Sequence, residues 1–255
     1  ASKVYDLALS SSHSEIYLAS GNTGLSVIDI TNLSSPELIS AFDTDGLTRA
    51  IALSSDGNAV FLADGTRGLK IVNVSDAASP ELIGQLEIGE SVYDIELSNG
   101  GNLLYAVHLS GTSVVDISDP SNPLIVSTLP SPGDAQAIAL SKDGTLAYVG
   151  DGYEGFHIID ISEATELTLI KSVDTPGEIY SLSLSSDDSL LYLADGSYGF
   201  KVFNVKDPAD PKLIASLDNI GFVRSVEVSS DGFSVYLATS RSVGPLIVDV
   251  TDSQH

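Results

Sequence analysis

The 255-residue chain has no cysteine, no methionine and no tryptophan. Without cysteine there is neither a disulfide frame nor a thiolate metal site, and cysteine pairing leaves no mark of the redox compartment. Basic residues are scarce, 11 Lys+Arg against 35 Asp+Glu, for a formal net charge of -24. A surface of that sign repels phosphate backbones and anionic headgroups, so nucleic acid and membrane surfaces are poor partners. Apolar residues make up 43% of the chain but fall in short runs. None approaches the roughly 18 residues of a membrane helix, so no direct membrane insertion is expected. The four histidines, His13, His108, His157 and His255, are scattered. They offer no zinc cluster, and His157 aligns with Ser26, Lys70 and Lys201 in a column expected to face solvent. A Gly-x-Ser-x-Gly elbow, a phosphate loop and a compact Ser/His/Asp arrangement are missing as well. The chain opens on Ala1 and Ser2 with no initiator methionine. That suits a secreted or cell-surface protein after signal-peptide cleavage, although a trimmed fragment would read the same.

What the chain does have is repetition. Aligning one aromatic residue gives Tyr17, Phe61, Tyr105, Tyr148, Tyr192 and Tyr236, spaced 44, 44, 43, 44 and 44 residues apart. Each unit reads as four short strands; in the third unit they fall at 92–97, 103–107, 113–117 and 124–129. The first hairpin carries Ser-x-Asp-Gly at 54–57, 141–144 and 229–232, because a tight turn needs a residue that tolerates positive φ. The third strands end in Asp29, Asn73, Asp116, Asp160, Asn204 and Asp249. An Asx side chain there caps the amides of the turn that follows.

Four-stranded repeats of this length are propeller blades, since one such sheet cannot bury both of its faces alone. The expected fold is a single all-β, six-bladed propeller of four-stranded antiparallel blades over 1–255. Its repeats run approximately 1–44, 45–88, 89–131, 132–175, 176–219 and 220–255. The sixth blade lacks its own outer strand, and an unpaired edge there invites self-association by strand addition.

The third-strand sequences Leu25-Ser-Val-Ile-Asp-Ile, Leu69-Lys-Ile-Val-Asn-Val and Pro245-Leu-Ile-Val-Asp-Val, with Asp-Pro-x-x-Pro at 119–123 and 207–211, closely resemble the LVIVD repeat family. The resemblance implies a secreted or surface-attached bacterial or archaeal propeller, from a family whose members mostly lack an assigned activity. The fourth repeat departs from the pattern, with Ser162-Glu-Ala-Thr-Glu-Leu in place of the double-proline loop.

In a propeller, ligands are sought where the first strands begin and loops converge on a central channel. Two residues before the apolar positions Leu7, Ile51, Ile95, Ile138, Leu182 and Val226 stand Tyr5, Arg49, Tyr93, Gln136, Tyr180 and Arg224. Two of the chain's four arginines are in that set. Tyrosine and arginine are enriched at binding hot spots, and a guanidinium on an acidic protein suits bidentate capture of a carboxylate or sulfate. The loops Asp64-Gly-Thr-Arg-Gly, Asp151-Gly-Tyr-Glu-Gly and Asp195-Gly-Ser-Tyr-Gly add Arg67, Tyr153 and Tyr198 to the same end, with Ser20, His108 and Thr239 in looser versions.

The expected ligand is a protein, a glycan or a small anion. The bland alternative is that the tyrosines plug the channel while the arginines pair with Asp6, Asp94 or a loop carboxylate. No cofactor is required; calcium is the one metal worth weighing, through Asp43 and Asp45 or the pairs Asp119/Asn122 and Asp207/Asp210. No catalytic residue is assigned, and a non-catalytic binding propeller is preferred. A sialidase-like or lactonase-like enzyme using the same mouth is the alternative, with Asp6 and Asp94 the only carboxylates counted beside it. A structural subunit joined by strand complementation is a further one.

Overall fold

A computed structural model describes residues 3–240 and 244–251. Ala1, Ser2 and His255, which entered the sequence reading, lie outside the described residues. Among the described residues there is no helix and there are 23 strands. They form five four-stranded antiparallel sheets and one three-stranded sheet, each meandering from an inner first strand to an outer last one. Blade 1, for example, runs Asp6–Leu9, Glu15–Ala19, Leu25–Asp29 and Glu37–Phe42. Blade 6 comprises Val223–Val228, Ser234–Thr239 and Leu246–Asp249. The chain is thus an all-β, six-bladed β-propeller, the last blade having three strands among the described residues.

Two compact units divide the chain, the first up to Thr128 with blades 1 to 3 and the second from Leu129 with blades 4 to 6. Within each, neighbouring blades bury their facing sheets. In the first unit Tyr17 and Val27 of blade 1 pack with Ile51, Val60 and Leu62 of blade 2. Phe61 and Ile71 of blade 2 pack in turn with Ile95 and Leu104 of blade 3. The second unit repeats this, with Tyr148 and Ile158 against Leu182, Leu191 and Leu193, then Tyr192 and Val202 against Val226, Val235 and Leu237. The rule is constant: the tyrosine face of one sheet meets the aliphatic face of the next, at about 1.5–3 kcal/mol per fully buried large side chain.

Local rules set the turns. Positions 13, 57, 101, 144, 188 and 232 all have positive φ, and where glycine is missing His13 (φ 57) and Asp188 (φ 56) hold the same conformation. The Asx at every third-strand end caps the amide two residues on: Asp29 to Thr31, Asn73 to Ser75, Asp116 to Ser118, Asp160 to Ser162, Asn204 to Lys206 and Asp249 to Thr251. The fourth repeat keeps its cap despite its altered loop. The largest boundary difference from expectation in blade 3 is in its third strand, which starts at Gly111 rather than at 113. Only Leu109 and Ser110 separate it from the second strand, Leu103–His108, so the hairpin closes earlier than in blades with the longer Asp-Gly-x-x-Gly loop.

Candidate functional site

The six positions read from the sequence fall three to a unit. In the first, Arg49 lies between two tyrosines, its guanidinium carbon 5.8 Å from the Tyr5 ring and 4.8 Å from the Tyr93 ring. Lys3 Nζ stands 4.5 Å over Tyr5. The half-buried Arg49 has a buried Nε with no hydrogen-bond partner among the described residues. Arg67 is exposed at its loop tip and donates from Nε to the Asp45 carbonyl at 3.3 Å. Asp6 accepts from the Ile51 amide at 2.9 Å, joining the first strands of blades 1 and 2. Burial raises its carboxyl above the ordinary value, against the lowering effect of the Ile51 and Leu7 amides.

In the second unit a carboxylate that the sequence reading passed over takes the central place. Glu178 accepts from Gln136 Nε2 at 2.6 Å and, through its other oxygen, from the Tyr180 hydroxyl. Burial, then the hydrogen bond and charge of Glu178, push the Tyr180 phenol up to about 12, with Arg224 pulling the other way. The hydrogen bond and charge of Glu178 also raise Tyr153, which is exposed at its loop tip. Arg224 is exposed, its guanidinium carbon 5.2 Å from the Tyr180 ring, and the Phe222 ring packs against that same ring at 5.0 Å between centroids. Tyr198 is likewise exposed, and its carbonyl accepts from Lys201. Both arginines named at the first-strand starts therefore lie over tyrosine rings.

The loop aspartates turn downward. Asp64, Asp151 and Asp195 are fully buried at the ends of the second strands. Thr44 and Thr48 donate to Asp64 Oδ1 at 2.6 and 2.8 Å. Asp151 Oδ2 accepts from the Gly133 amide at 2.9 Å and lies 2.8 Å from His157 Nε2. Asp195 Oδ1 accepts from Thr175 and the Gly177 amide, with Lys201 Nζ 3.9 Å from Oδ2. His157 and Lys201 are buried, which overturns the expectation of a solvent-facing column; in these blades that column aims at the buried aspartate.

Burial raises Asp64 and Asp195, and neither the threonine hydroxyls, the Gly177 amide nor the charges of Lys70, Arg67 and Lys201 offset it. For Asp151 burial is also the largest single effect, but the His157 contact and the Gly133 amide outweigh it and hold the carboxyl low. A sequence signal for this arrangement existed. Thr44-Asp-Gly, Ser131-Pro-Gly and Thr175-Pro-Gly precede the first strands of the same three blades that carry the aspartate. A Cβ on Gly46, Gly133 or Gly177 would fall within 2.4–2.9 Å of aspartate side-chain oxygens, so only glycine fits. In blade 3, where His108 stands in for the acid, the position equivalent to Gly46 is Glu90, whose Oε2 lies 3.8 Å from His108 Nδ1. His108 Nε2 instead lies 2.9 Å from Ser113 Oγ.

The oxygen ligands weighed for calcium are used in turns: Asp43 caps the Asp45 amide, Asp119 that of Ser121 and Asp207 that of Ala209. Among the described residues no three His, Cys, Asp or Glu side chains gather as a metal group, and no helix is long and apolar enough to cross a membrane.

Solved structures with the same fold include a periplasmic gluconolactonase, PpgL, from Pseudomonas aeruginosa (TM-score 0.86, 16% identity), matched over 98% of this chain and 82% of its own. A protein from Lactobacillus plantarum gives TM-score 0.87 at 16% identity, covering 98% and 81%. The Cps50 (Swd1) β-propeller domain of Myceliophteria thermophila gives 0.81 at 16%, covering 98% and 83%. Such identities carry the fold alone. No curated protein sequence matches the chain. The LVIVD repeat model matches residues 8–44, 45–87, 92–129 and 132–175, well over half the chain, and the protein belongs to the LVIVD repeat family.

Proposed function

We propose that this propeller is a non-catalytic, extracellular binding module that takes an acidic or polyhydroxylated ligand, a glycan or an acidic protein segment, on the residues at the starts of its first strands. Arg49 carries the reading. Its guanidinium is held between Tyr5 and Tyr93 with an Nε that has no hydrogen-bond partner among the described residues. A held cation with a free donor suits a carboxylate or sulfate. In the other unit Glu178, Gln136 and Tyr180, with Tyr153 exposed beside them, suit sugar hydroxyls and ring stacking.

The test is calorimetric titration with oligogalacturonate, a carboxylated sugar polymer, of the protein and its Arg49→Ala and Arg224→Ala variants. The expected result is at least a roughly tenfold loss of affinity for Arg49→Ala with an unchanged melting temperature. Unaltered binding, or a loss of stability alone, would leave the tyrosines and arginines as packing. The likeness to the gluconolactonase motivates a second reading, lactone hydrolysis at the same residues, which requires product release from gluconolactone.

A further inference from the structure

The blade-packing rule leaves two faces uncovered. On the aliphatic face of blade 1, Leu7 is 56% exposed, whereas its counterpart Leu182 is 7% exposed under the tyrosine face of blade 4. Leu9, in register with Ile16, is exposed beside it. On the tyrosine face of blade 6, Tyr236 is 45% exposed and its cross-strand partner Ile247 66%, against 1% for Tyr192 and 3% for Val202 in blade 5. Repeat arrays need polar outer faces on their terminal units to stay soluble. These terminal faces carry instead the apolar residues that drive packing at every other blade.

We propose that each face is a seat for a further LVIVD-type blade: the face of blade 1 takes a sheet offering a tyrosine face, and that of blade 6 a sheet offering an aliphatic face. The four packed pairs described above supply the argument for this occupant. Each joins one of these face types to the other, so the chemistry that covers Leu182 or Tyr192 is the chemistry that fits Leu7 or Tyr236. The three solved structures point the same way. They align with 98% of this chain but only 81–83% of their own, which leaves room in each for about one more repeat. The inference concerns sheet faces and does not depend on the proposed ligand site.

A cysteine-free chain makes the test direct. Single-cysteine variants Leu7→Cys, Tyr236→Cys and the buried control Leu182→Cys are labelled with a maleimide. This is done in the 255-residue chain, in one extended after Thr251 by a copy of residues 208–251, and in one carrying a copy of residues 176–219 ahead of Ala1. The first copy supplies an outer strand for blade 6 and the first three strands of another blade; the second supplies a four-stranded blade ahead of blade 1. In the 255-residue chain, positions 7 and 236 should label about 100-fold faster than 182. Position 236 should slow toward the control in the first extended chain and position 7 in the second, and each melting temperature should rise.

Equal labelling of all three positions in the shorter chain would overturn the inference, as would unchanged labelling of the covered position in both extended chains or failure of those chains to fold. Protection at 236 in the first extended chain without protection at 7 in the second would overturn it for blade 1. Protection in the shorter chain that grows with protein concentration would make the occupant a second copy, and would overturn it as well.

Discussion

The two units meet the same problem with different chemistry. In the first, the buried acid Asp64 is held by two threonine hydroxyls, and Arg49 rests on tyrosine rings. In the second, Asp151 and Asp195 face a histidine and a lysine, and Glu178 gathers Gln136 and Tyr180. The opposite shifts of Asp64 and Asp151 follow. A buried carboxylate whose hydrogen-bond donors are hydroxyls, with cations acting only through charge, is pushed toward its protonated form, whereas one in contact with a histidine and an amide is stabilised as the anion. Repeats with one backbone plan can thus hold a carboxylate that stabilises the fold when ionised or one whose ionisation costs stability.

The comparison breaks most sharply at the buried acids. Asp151→Asn should lower stability at neutral pH by about 3 kcal/mol, because it strips a charge-assisted contact and strands its partners. Asp64→Asn should cost under about 1 kcal/mol, since a neutral group is what burial favours there. Urea unfolding of both variants checks the pair. The sign with pH is opposite. With its folded value below 3.8, Asp151 contributes stability that is complete above 3.8 and lost as pH falls through the folded value. With its folded value above 3.8, Asp64 favours the fold below 3.8 and loses that contribution as pH rises through the folded value. Equal costs at pH 7 would remove the distinction.

At the starts of the first strands, Glu178→Gln should bring Tyr180 down from about 12 toward the ordinary tyrosine value, burial remaining in place. Absorbance titration of the phenolates, taken as the difference between parent and variant because ten tyrosines contribute, reads this in a chain with no tryptophan. A Tyr180 that does not move would remove Glu178 from the centre of that row. A smaller effect belongs to His108. Burial, opposed in part by Glu90, depresses it below 6.5, so the unfolded chain binds more protons between the folded value and 6.5. Stability should therefore fall by under about 1 kcal/mol as pH drops below 6.5, and His108→Ser should flatten that slope. The smallest change expected is at the left-handed turn residue His13: His13→Gly should leave stability within about 1 kcal/mol of the parent, relief of strain opposing added chain entropy.

The blade count, the turns and the Asx caps were legible because each depends on residues within a few positions of one another. Asp29 caps Thr31 whatever the rest of the chain does. The set Tyr5, Arg49, Tyr93, Gln136, Tyr180 and Arg224 was legible as a column, by its common phase with the aliphatic positions. Its wiring was not. Glu178 sits two residues before a column member and 42 after Gln136, and nothing local marks a bond across that gap. The buried aspartates were not singled out for a related reason. An Asp-Gly pair after a strand reads as a surface turn, and only the glycine column at 46, 133 and 177 shows that something beneath the loop needs the space.

The six Asx caps have a wider consequence. Each closes the start of its own connection with a contact two residues long, so the path out of the third strand is set blade by blade, and contacts with a neighbouring blade, such as Ser40 Oγ donating to the Ala77 carbonyl, come only further along the connection. The segments after these caps are therefore interchangeable parts: a connection could be lengthened, decorated or grafted from one blade to another with the sheet behind it undisturbed. The fourth repeat, with an unusual connection behind an ordinary cap, is a natural instance of such an exchange.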